Sequence, residues 1–250
     1  MDIKKIMAVA TAVVGTVAMA DGIVSSSVVG YNKATAEADA TIYRVATFEG
    51  IGSSGATFTL SQLSVGNEDF AWYNGDYIAT VDPYGAQDTY YTWDPDTQHW
   101  CETDDSIGPT DNYADDVELP LNQGVIIYSL NGVDLTVSGA VLAGDTELYS
   151  VADATTYTGN FTPTTLTLGD IVVGTEDFAW YNGDYIATID AYGAQETYYT
   201  WNDDGDGFWC VTDDSIGPTD DNANDVEFEP NMGFLFYSLS GATLNIPSPL

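Results

Sequence analysis

Basic residues are almost absent from this sequence. It contains four Lys and Arg residues against 39 Asp and Glu residues, which gives a formal net charge of −35 at neutral pH. Nucleic acids and anionic membranes are bound through Lys and Arg, which neutralise their phosphates. We therefore expect neither as a partner. Such a chain repels itself, so we expect high salt or bound divalent cations to screen its charge.

Histidine and cysteine are also scarce. His99 is the only histidine, so a histidine triad or a histidine zinc site cannot recur along the chain. The two cysteines, Cys101 and Cys210, each follow a tryptophan directly. In an exported protein they predict either a disulfide or two buried thiols at equivalent positions. Carboxylate pairs for glycoside hydrolysis would arise by chance among so many acidic residues, so we predict that the protein is not an enzyme.

Long apolar runs are missing as well, and the one notable run lies at the start. Lys4 and Lys5 precede the apolar stretch Ile6–Val17, and Ala18-Met19-Ala20 offers a small-x-small cleavage site. This pattern is typical of a secretory signal cleaved after Ala20. The run is short for a membrane span, although a retained N-terminal anchor is the alternative. We predict a secreted protein, either extracellular or at the cell surface.

The chain is an internal duplication. Glu68–Trp93 recurs as Glu176–Trp201 with changes only at Val81/Ile189, Pro83/Ala191 and Asp88/Glu196. Further on, Thr103–Asp111 recurs unchanged as Thr212–Asp220. We predict a signal peptide at 1–20 and two homologous repeats at 21–136 and 137–250.

The residue pattern of each repeat predicts β-structure. β-branched and aromatic residues fill short runs separated by turn residues, which predicts an all-β fold of two tandem homologous β-sandwich or small barrel-like domains. Asn74-Gly75 and Asn131-Gly132 are strong hairpin signals, and Asp82–Gly85 has type I turn chemistry. A further hairpin joins Thr89–Trp93 to Trp100–Thr103. Single helical turns are predicted at Thr59–Leu63 and Thr167–Ile171.

Several of these stretches carry a family resemblance. They are Val28–Tyr31, Trp72, Tyr90–Trp93, Trp100 and Gly124–Tyr128. Together they resemble exported β-repeat domains of unknown function in bacteria of the Verrucomicrobia, Lentisphaerae and Kiritimatiellota type. The resemblance implies export and a β-domain, and it implies no reaction. The second repeat departs from the pattern because it lacks a clear counterpart of Val28–Tyr31.

An acidic turn in the second repeat is the best metal candidate. Asn202, Asp204 and Asp206 have the spacing at the start of a calcium loop, and Asp213 falls at its twelfth position. Asn at the first position and Asp in place of the final Glu weaken the match. The matching turn of the first repeat is shorter and lacks the glycines. A solvated hairpin turn is the alternative to a Ca²⁺ site.

The tryptophans occur as equivalent pairs. Three in the first repeat match three in the second: Trp72 and Trp180, Trp93 and Trp201, Trp100 and Trp209. Burial in the core is one interpretation, since these rings bury large areas. Stacking on the sugar rings of a polysaccharide is the other, with Trp72 and Trp180 as candidates.

The ends of the repeats suggest self-association. A strand-like segment at 136–142 joins the repeats, and similar segments occur near both chain ends. We expect Val28, Val29, Gly30 and Tyr31 of one subunit to dock on another as 137–142 docks internally, which would give open head-to-tail filaments or layers. An ordinary first strand is the alternative. We predict a structural or cell-surface protein, and a carbohydrate- or surface-binding module is the second interpretation.

The acidic turn gives a direct test. We expect millimolar Ca²⁺ to raise the melting temperature and a chelator to lower it, because an ion bound only by the folded chain stabilises it, by about 2.7 kcal/mol at a hundredfold excess over Kd. The variant Asp204→Asn with Asp206→Asn should lose this shift, whereas Asp96→Asn in the first repeat should keep it. A melting temperature that the chelator leaves unchanged would remove the site.

Overall fold

The computed structural model describes residues 29–45, 57–66, 70–82, 86–104, 108–120, 124–140, 144–160, 162–174, 178–190, 192–203, 207–213 and 217–248. Over these residues the chain is all-β, as predicted, with four single turns of 3-10 helix. No helix in the described ranges has the length and hydropathy that crossing a membrane requires.

The strands fall into two sets with the same order along the chain. Unit 1 contains β1 (Val29–Ala36), β2 (Ala40–Val45), β3 (Thr57–Thr59), β4 (Leu63–Val65), β5 (Tyr77–Val81), β6 (Gln87–Asp94), β7 (His99–Asp104), β8 (Gly108–Tyr113), β9 (Glu118–Pro120), β10 (Gly124–Ser129) and β11 (Val133–Ala140). Unit 2 contains β12 (Thr146–Ser150), β13 (Ala154–Gly159), β14 (Leu166–Thr167), β15 (Val172–Val173), β16 (Tyr185–Ile189), β17 (Gln195–Asn202), β18 (Phe208–Asp213), β19 (Gly217–Asn222), β20 (Glu227–Phe228), β21 (Gly233–Ser238) and β22 (Ala242–Ile246). The 3-10 turns are Leu60–Gln62, Trp72–Asn74, Leu168–Asp170 and Trp180–Asn182.

Each unit combines a six-stranded and a three-stranded antiparallel sheet. In unit 1 their orders are β2-β10-β5-β6-β7-β8 and β1-β11-β4, and β3 pairs with β9. Unit 2 repeats this topology as β13-β21-β16-β17-β18-β19 and β12-β22-β15, with β14 on β20. The sheets pack face to face, as in a β-sandwich.

The chain crosses between the two sheets at a corner. The backbone of Asp39, between β1 and β2, has φ 56° and donates from its N–H to the Ser129 carbonyl at 2.8 Å. Gly132, between β10 and β11, has φ 84°, and a Cβ there would lie 3.1 Å from the Ala36 carbonyl. Only glycine fits this corner comfortably. The predicted hairpin at Asn131-Gly132 is therefore wrong, because its two strands enter different sheets.

The hairpin predicted at Asn74-Gly75 is also wrong, because this pair ends a 3-10 turn instead. Trp72–Asn74 forms a 3-10 turn, and Gly75 ends it with φ 79° and an N–H bond to the Trp72 carbonyl. Phe70 and Ala71, which the hairpin would place in its first strand, are not part of a strand. The hairpin joining β6 and β7 and the two single turns at Leu60–Gln62 and Leu168–Asp170 are confirmed.

The core of each unit surrounds one fully buried tryptophan. Trp100 lies between the sheets of unit 1, in contact with Phe70 and Trp93, and its indole N–H donates across to the Leu63 carbonyl on β4. Trp209 does the same in unit 2, where it donates to the Ile171 carbonyl at 3.1 Å. The ring therefore links the two sheets by both packing and a hydrogen bond.

A buried carboxylate organises one end of each sandwich. The two oxygens of Asp76 accept the N–H of Ala71 at 3.0 Å and of Leu130 at 2.7 Å, and its carbonyl accepts the Thr92 hydroxyl at 2.7 Å. Asp184 makes the equivalent three bonds in unit 2. A buried carboxylate requires such donors, because its charge has lost the solvation of water.

The two units pack through the second faces of their six-stranded sheets. Ala79, Val81 and Ile126 form a buried cluster in unit 1 against which Tyr157 of β13 packs. A Cβ at Gly124 would lie 3.0 Å from the Tyr157 carbonyl carbon, so the two backbones approach closely here. The contacts are reciprocal: β2 meets β13 and β21, and β10 meets β13. Reciprocity is what a two-fold-related, self-closing contact produces.

Matching tyrosine groups lie on these faces. In unit 1, Tyr77 stacks on Tyr128 with ring centroids 5.4 Å apart and meets Tyr90 edge-on at 5.2 Å. Unit 2 repeats the geometry with Tyr185, Tyr237 and Tyr198. Burial raises the pKa of Tyr77, and the hydrogen bond to Asp39 raises the pKa of Tyr128. These phenols therefore stay neutral well into alkaline solution.

The strand pairing places the boundary between the two units further along the sequence than the repeat comparison predicted. The boundary predicted between residues 136 and 137 falls inside β11. All partners of β11 belong to unit 1, namely β1 and β4, and unit 2 begins its pairing at β12. No single strand serves as both the end of one unit and the start of the next.

The buried carboxylate predicts a large effect for a small change. We expect Asp76→Asn to lower the free energy of unfolding by about 1–3 kcal/mol, because an amide has one acceptor oxygen for two buried N–H donors. Asp184→Asn should behave alike, and the exposed Asp88→Asn should stay within about 0.5 kcal/mol of the parent. Denaturant unfolding measures all three. Equal stability of the Asp76 and Asp88 variants would contradict this role.

Candidate functional site

Each unit has one pair of neighbouring aromatic side chains at its surface, and the two pairs occupy equivalent positions. We call them platform 1 (Trp72 and Tyr73) and platform 2 (Trp180 and Tyr181). Their exposed fractions are 39% and 58% in platform 1 and 41% and 56% in platform 2. The two rings meet edge-on with centroids 5.8 Å apart in both cases. Each platform is therefore an exposed aromatic patch at a repeated position, which makes it a candidate for contact with a ligand.

The fold forces these rings outward. Phe70 and Ala71, just before platform 1, are fully buried, and Asp76, just after it, holds the Ala71 N–H from within. The intervening turn is therefore fixed at both ends, and Trp72 and Tyr73 occupy its outer side. Phe178, Ala179 and Asp184 hold platform 2 in the same way.

Trp72 rests on the backbone of β8. A Cβ at Gly108 would lie 3.0 Å from Cε3 and 3.2 Å from Cζ3 of the indole. Contact of the six-membered ring with this glycine limits the freedom of the indole. In unit 2, β19, which begins at Gly217, likewise contacts the turn Trp180–Asn182. The platforms are thus preorganised surfaces, which lowers the entropic cost of binding a ligand.

The six tryptophans divide into three kinds. Trp100 and Trp209 are core residues with no exposed surface, and Trp93 and Trp201 are half-buried against them. The interpretation that all six pack in the core is therefore wrong for Trp72 and Trp180. The reason is local, because the 3-10 turn directs both side chains away from the sheet.

Platform 2 has a carboxylate beside it. The Tyr181 hydroxyl lies 3.5 Å from Oδ2 of Asp203, at the outer limit of hydrogen-bond distance. Asp203 is exposed and directly follows β17. At the matching position unit 1 has Pro95. The two platforms therefore share their rings and differ in their polar surroundings.

The predicted calcium ligands are only partly placed. Asn202 ends β17 and pairs with Phe208, whereas Asp213 ends β18 and pairs with Gly217. The length of β18 separates them by roughly 17 Å, so the structure does not bring Asn202 and Asp213 to one ion. Asp204 and Asp206 lie outside the described residues. Within the described ranges, no group of three or more acidic, His or Cys residues could hold a metal.

The cysteines are free thiols, and the predicted disulfide is absent. Cys101 and Cys210 are buried in the six-stranded sheets of separate units. The Cys210 thiol lies 3.5 Å from the Thr200 carbonyl of its own unit. Burial raises the pKa of both thiols, and nearby acidic residues add to the effect at Cys101. The alternative of two equivalent buried thiols is the one observed.

The predicted assembly residues are paired inside the chain. Val29, Gly30 and Tyr31 lie in β1, opposite Ala140, Gly139 and Ser138 of β11. Val28 lies outside the described residues. This pairing is within unit 1, which differs from the predicted docking on another subunit. In the described part of the chain, no strand pairs with the other side of β1.

Sequence reasoning missed the partners of Trp72 and Trp180. Tyr73, Tyr181 and the buried Asp76 and Asp184 all lie in the repeated WYNGD segment. An aspartate directly after an Asn-Gly turn reads as a solvent-exposed turn residue, and only the tertiary structure shows that its carboxylate is enclosed.

Comparison of the chain with protein-family models, with curated proteins and with solved structures finds no match. The resemblance to exported bacterial β-repeat domains therefore stays a prediction.

Proposed function

We propose that the protein is an exported β-repeat protein that binds polysaccharide through platforms 1 and 2. The observation that supports this most is the exposure of Trp72 and Trp180 on fixed turns, at equivalent positions of both units. Tryptophans that serve only to fill the core are buried, as Trp100 and Trp209 are. When an exposed aromatic ring covers an apolar face of a ligand, the burial of both surfaces contributes favourable binding free energy.

The chemistry of each platform suits a sugar chain. An indole face packs on the C–H groups of a pyranose ring, and the hydroxyl of the adjacent tyrosine offers a hydrogen bond to a sugar hydroxyl. A flat pair of rings at the surface also accepts a long polymer that a closed pocket would exclude. Two such sites in one chain raise the apparent affinity for a polymer that reaches both.

We expect the double variant Trp72→Ala/Trp180→Ala to lose most of its binding to an insoluble polysaccharide, at least tenfold in apparent affinity, because both stacking surfaces are removed. Pull-down on cellulose, chitin and a mannan tests this. Tyr192→Ala, which removes another exposed aromatic, is the matched control and should bind like the parent.

A folding control accompanies this test. Trp72→Ala and Trp180→Ala should retain the parent far-ultraviolet circular dichroism spectrum and cooperative unfolding, because both rings are exposed. Trp100→Ala should lose about 3–5 kcal/mol, as expected for a buried Trp. Failure of the folded parent to bind any of the polymers, or unchanged binding by the folded double variant, would overturn the proposal.

A structural role through self-association is the second candidate. The contact between units 1 and 2 is reciprocal, so it closes on itself and cannot extend an array. The observation that favours association is the position of β1 at the edge of its three-stranded sheet. Addition of a strand from another copy at this edge would extend the sheet and yield filaments or layers.

Sedimentation and negative-stain microscopy test the second candidate. The chain starting at Asp21 should form concentration-dependent assemblies in high salt with Ca²⁺, because salt screens its charge. Asn32→Pro, at the edge of β1, should weaken them while the unfolding transition stays cooperative. A parent chain that remains monomeric at high concentration would contradict self-association and leave the platforms unaffected.

A further inference from the structure

The turns beside the two platforms carry their first carboxylate at different positions, because Asp94 and Pro95 of unit 1 correspond to Asn202 and Asp203 of unit 2. Trp180 and Tyr181 match Trp72 and Tyr73 in exposure and ring geometry. Asp203 lies within 3.5 Å of the Tyr181 hydroxyl, whereas unit 1 has Pro95 at the corresponding position. In unit 1 the carboxylate of Asp94 accepts bonds from the Asp96 N–H and the Thr97 hydroxyl. Its carboxylate is therefore committed to the turn.

The surroundings of platform 2 select the charge of its ligand. The whole chain has a net charge of −35, and Lys33 and Arg44 are the only basic residues after position 5. Lys33 forms an ion pair with Asp134 on unit 1. An anionic polysaccharide would be repelled by this field, whereas a cationic one would be attracted to it.

We propose that platform 2 binds a cationic amino sugar, such as a glucosamine unit of a deacetylated polymer. This inference rests on the proposed polysaccharide function and specifies its ligand. The pyranose ring stacks on the exposed Trp180 indole, and its ammonium group pairs with the Asp203 carboxylate beside the Tyr181 hydroxyl. The carboxylate and the indole both attract a cation, the carboxylate by its charge and the indole by its electron-rich face.

Non-specific attraction of a polycation to an acidic protein predicts a different pattern. A diffuse effect depends on the total charge, so removing any one exposed carboxylate has the same small effect. A site effect depends on Asp203 and on the Trp180 ring. Glu196, which is also exposed on β17, provides a carboxylate of equal charge for comparison.

The experiment measures binding of a glucosamine hexamer and of the N-acetylglucosamine hexamer by calorimetry at physiological salt. We expect the parent to prefer the glucosamine hexamer. Asp203→Asn should lower affinity for that hexamer about three- to fivefold, as expected for an exposed ion pair, and should leave the acetylated hexamer unaffected. Glu196→Gln should change neither, and Trp180→Ala should weaken both.

The outcomes separate this inference from the proposed function. If the parent binds both hexamers equally and Trp180→Ala weakens both, polysaccharide binding stands and the amino-sugar preference is overturned. Equal losses for Asp203→Asn and Glu196→Gln would also overturn it, because they indicate diffuse attraction. If the parent binds neither hexamer nor any polymer tested above, the proposed function itself fails. The variant Pro95→Asp should raise the affinity of platform 1 for the glucosamine hexamer.

Discussion

The buried carboxylates of Asp76 and Asp184 are the interaction on which each unit depends. In unit 1 the carboxylate joins the aromatic turn to the residue after β10, because its two oxygens accept the N–H of Ala71 and the N–H of Leu130. The backbone carbonyl of Asp76 accepts the hydroxyl of Thr92 on β6. Asp76 directly precedes β5, which pairs with both β10 and β6, so the carboxylate ties the turn to strands that backbone pairing already joins. A charge that has lost its hydration accepts only a geometry that supplies all its donors, so it fixes the turn and the corner together.

The second constraint is that the strand at the centre of the contact between the units, β10, is buried on both faces. In β10, Val125 and Ile127 face the core of unit 1, and Ile126 between them faces unit 2. A strand buried on both faces reads as a continuous apolar run instead of an alternating one. The close approach at Gly124 and the tyrosine rings around Tyr77 complete this contact. Because the contact is reciprocal, duplication of one unit within a chain gives a closed pair, and the platforms remain outside it.

Local chemistry predicted much of this fold, and tertiary context decided the rest. The hairpin between β6 and β7 and the turns at Leu60–Gln62 and Leu168–Asp170 follow from short-range patterns, and they are present. The positive φ at Gly75 and Gly132 was also implied by the Asn-Gly pairs, yet neither pair forms a hairpin. An Asn-Gly pair predicts that the chain turns, but it does not predict which strand the chain pairs with after the turn. The exposure of Trp72 against the burial of Trp100 was equally hidden, because residue type alone does not distinguish a core tryptophan from a surface one.

Conservation of the repeated block within one chain has two causes that the structure now separates. Asp76 explains why the turn keeps an aspartate in both units, since its loss would leave the backbone N–H groups of Ala71 and Leu130 without their acceptor. This requirement does not extend to Trp72 and Tyr73, whose side chains leave the fold at the surface. Their retention as Trp180 and Tyr181 is what the proposed ligand shared by both units would require. Under that proposal, the change from Pro95 to Asp203 places a carboxylate beside a retained pair of rings, and the duplicated site would acquire a second specificity while its scaffold stays the same.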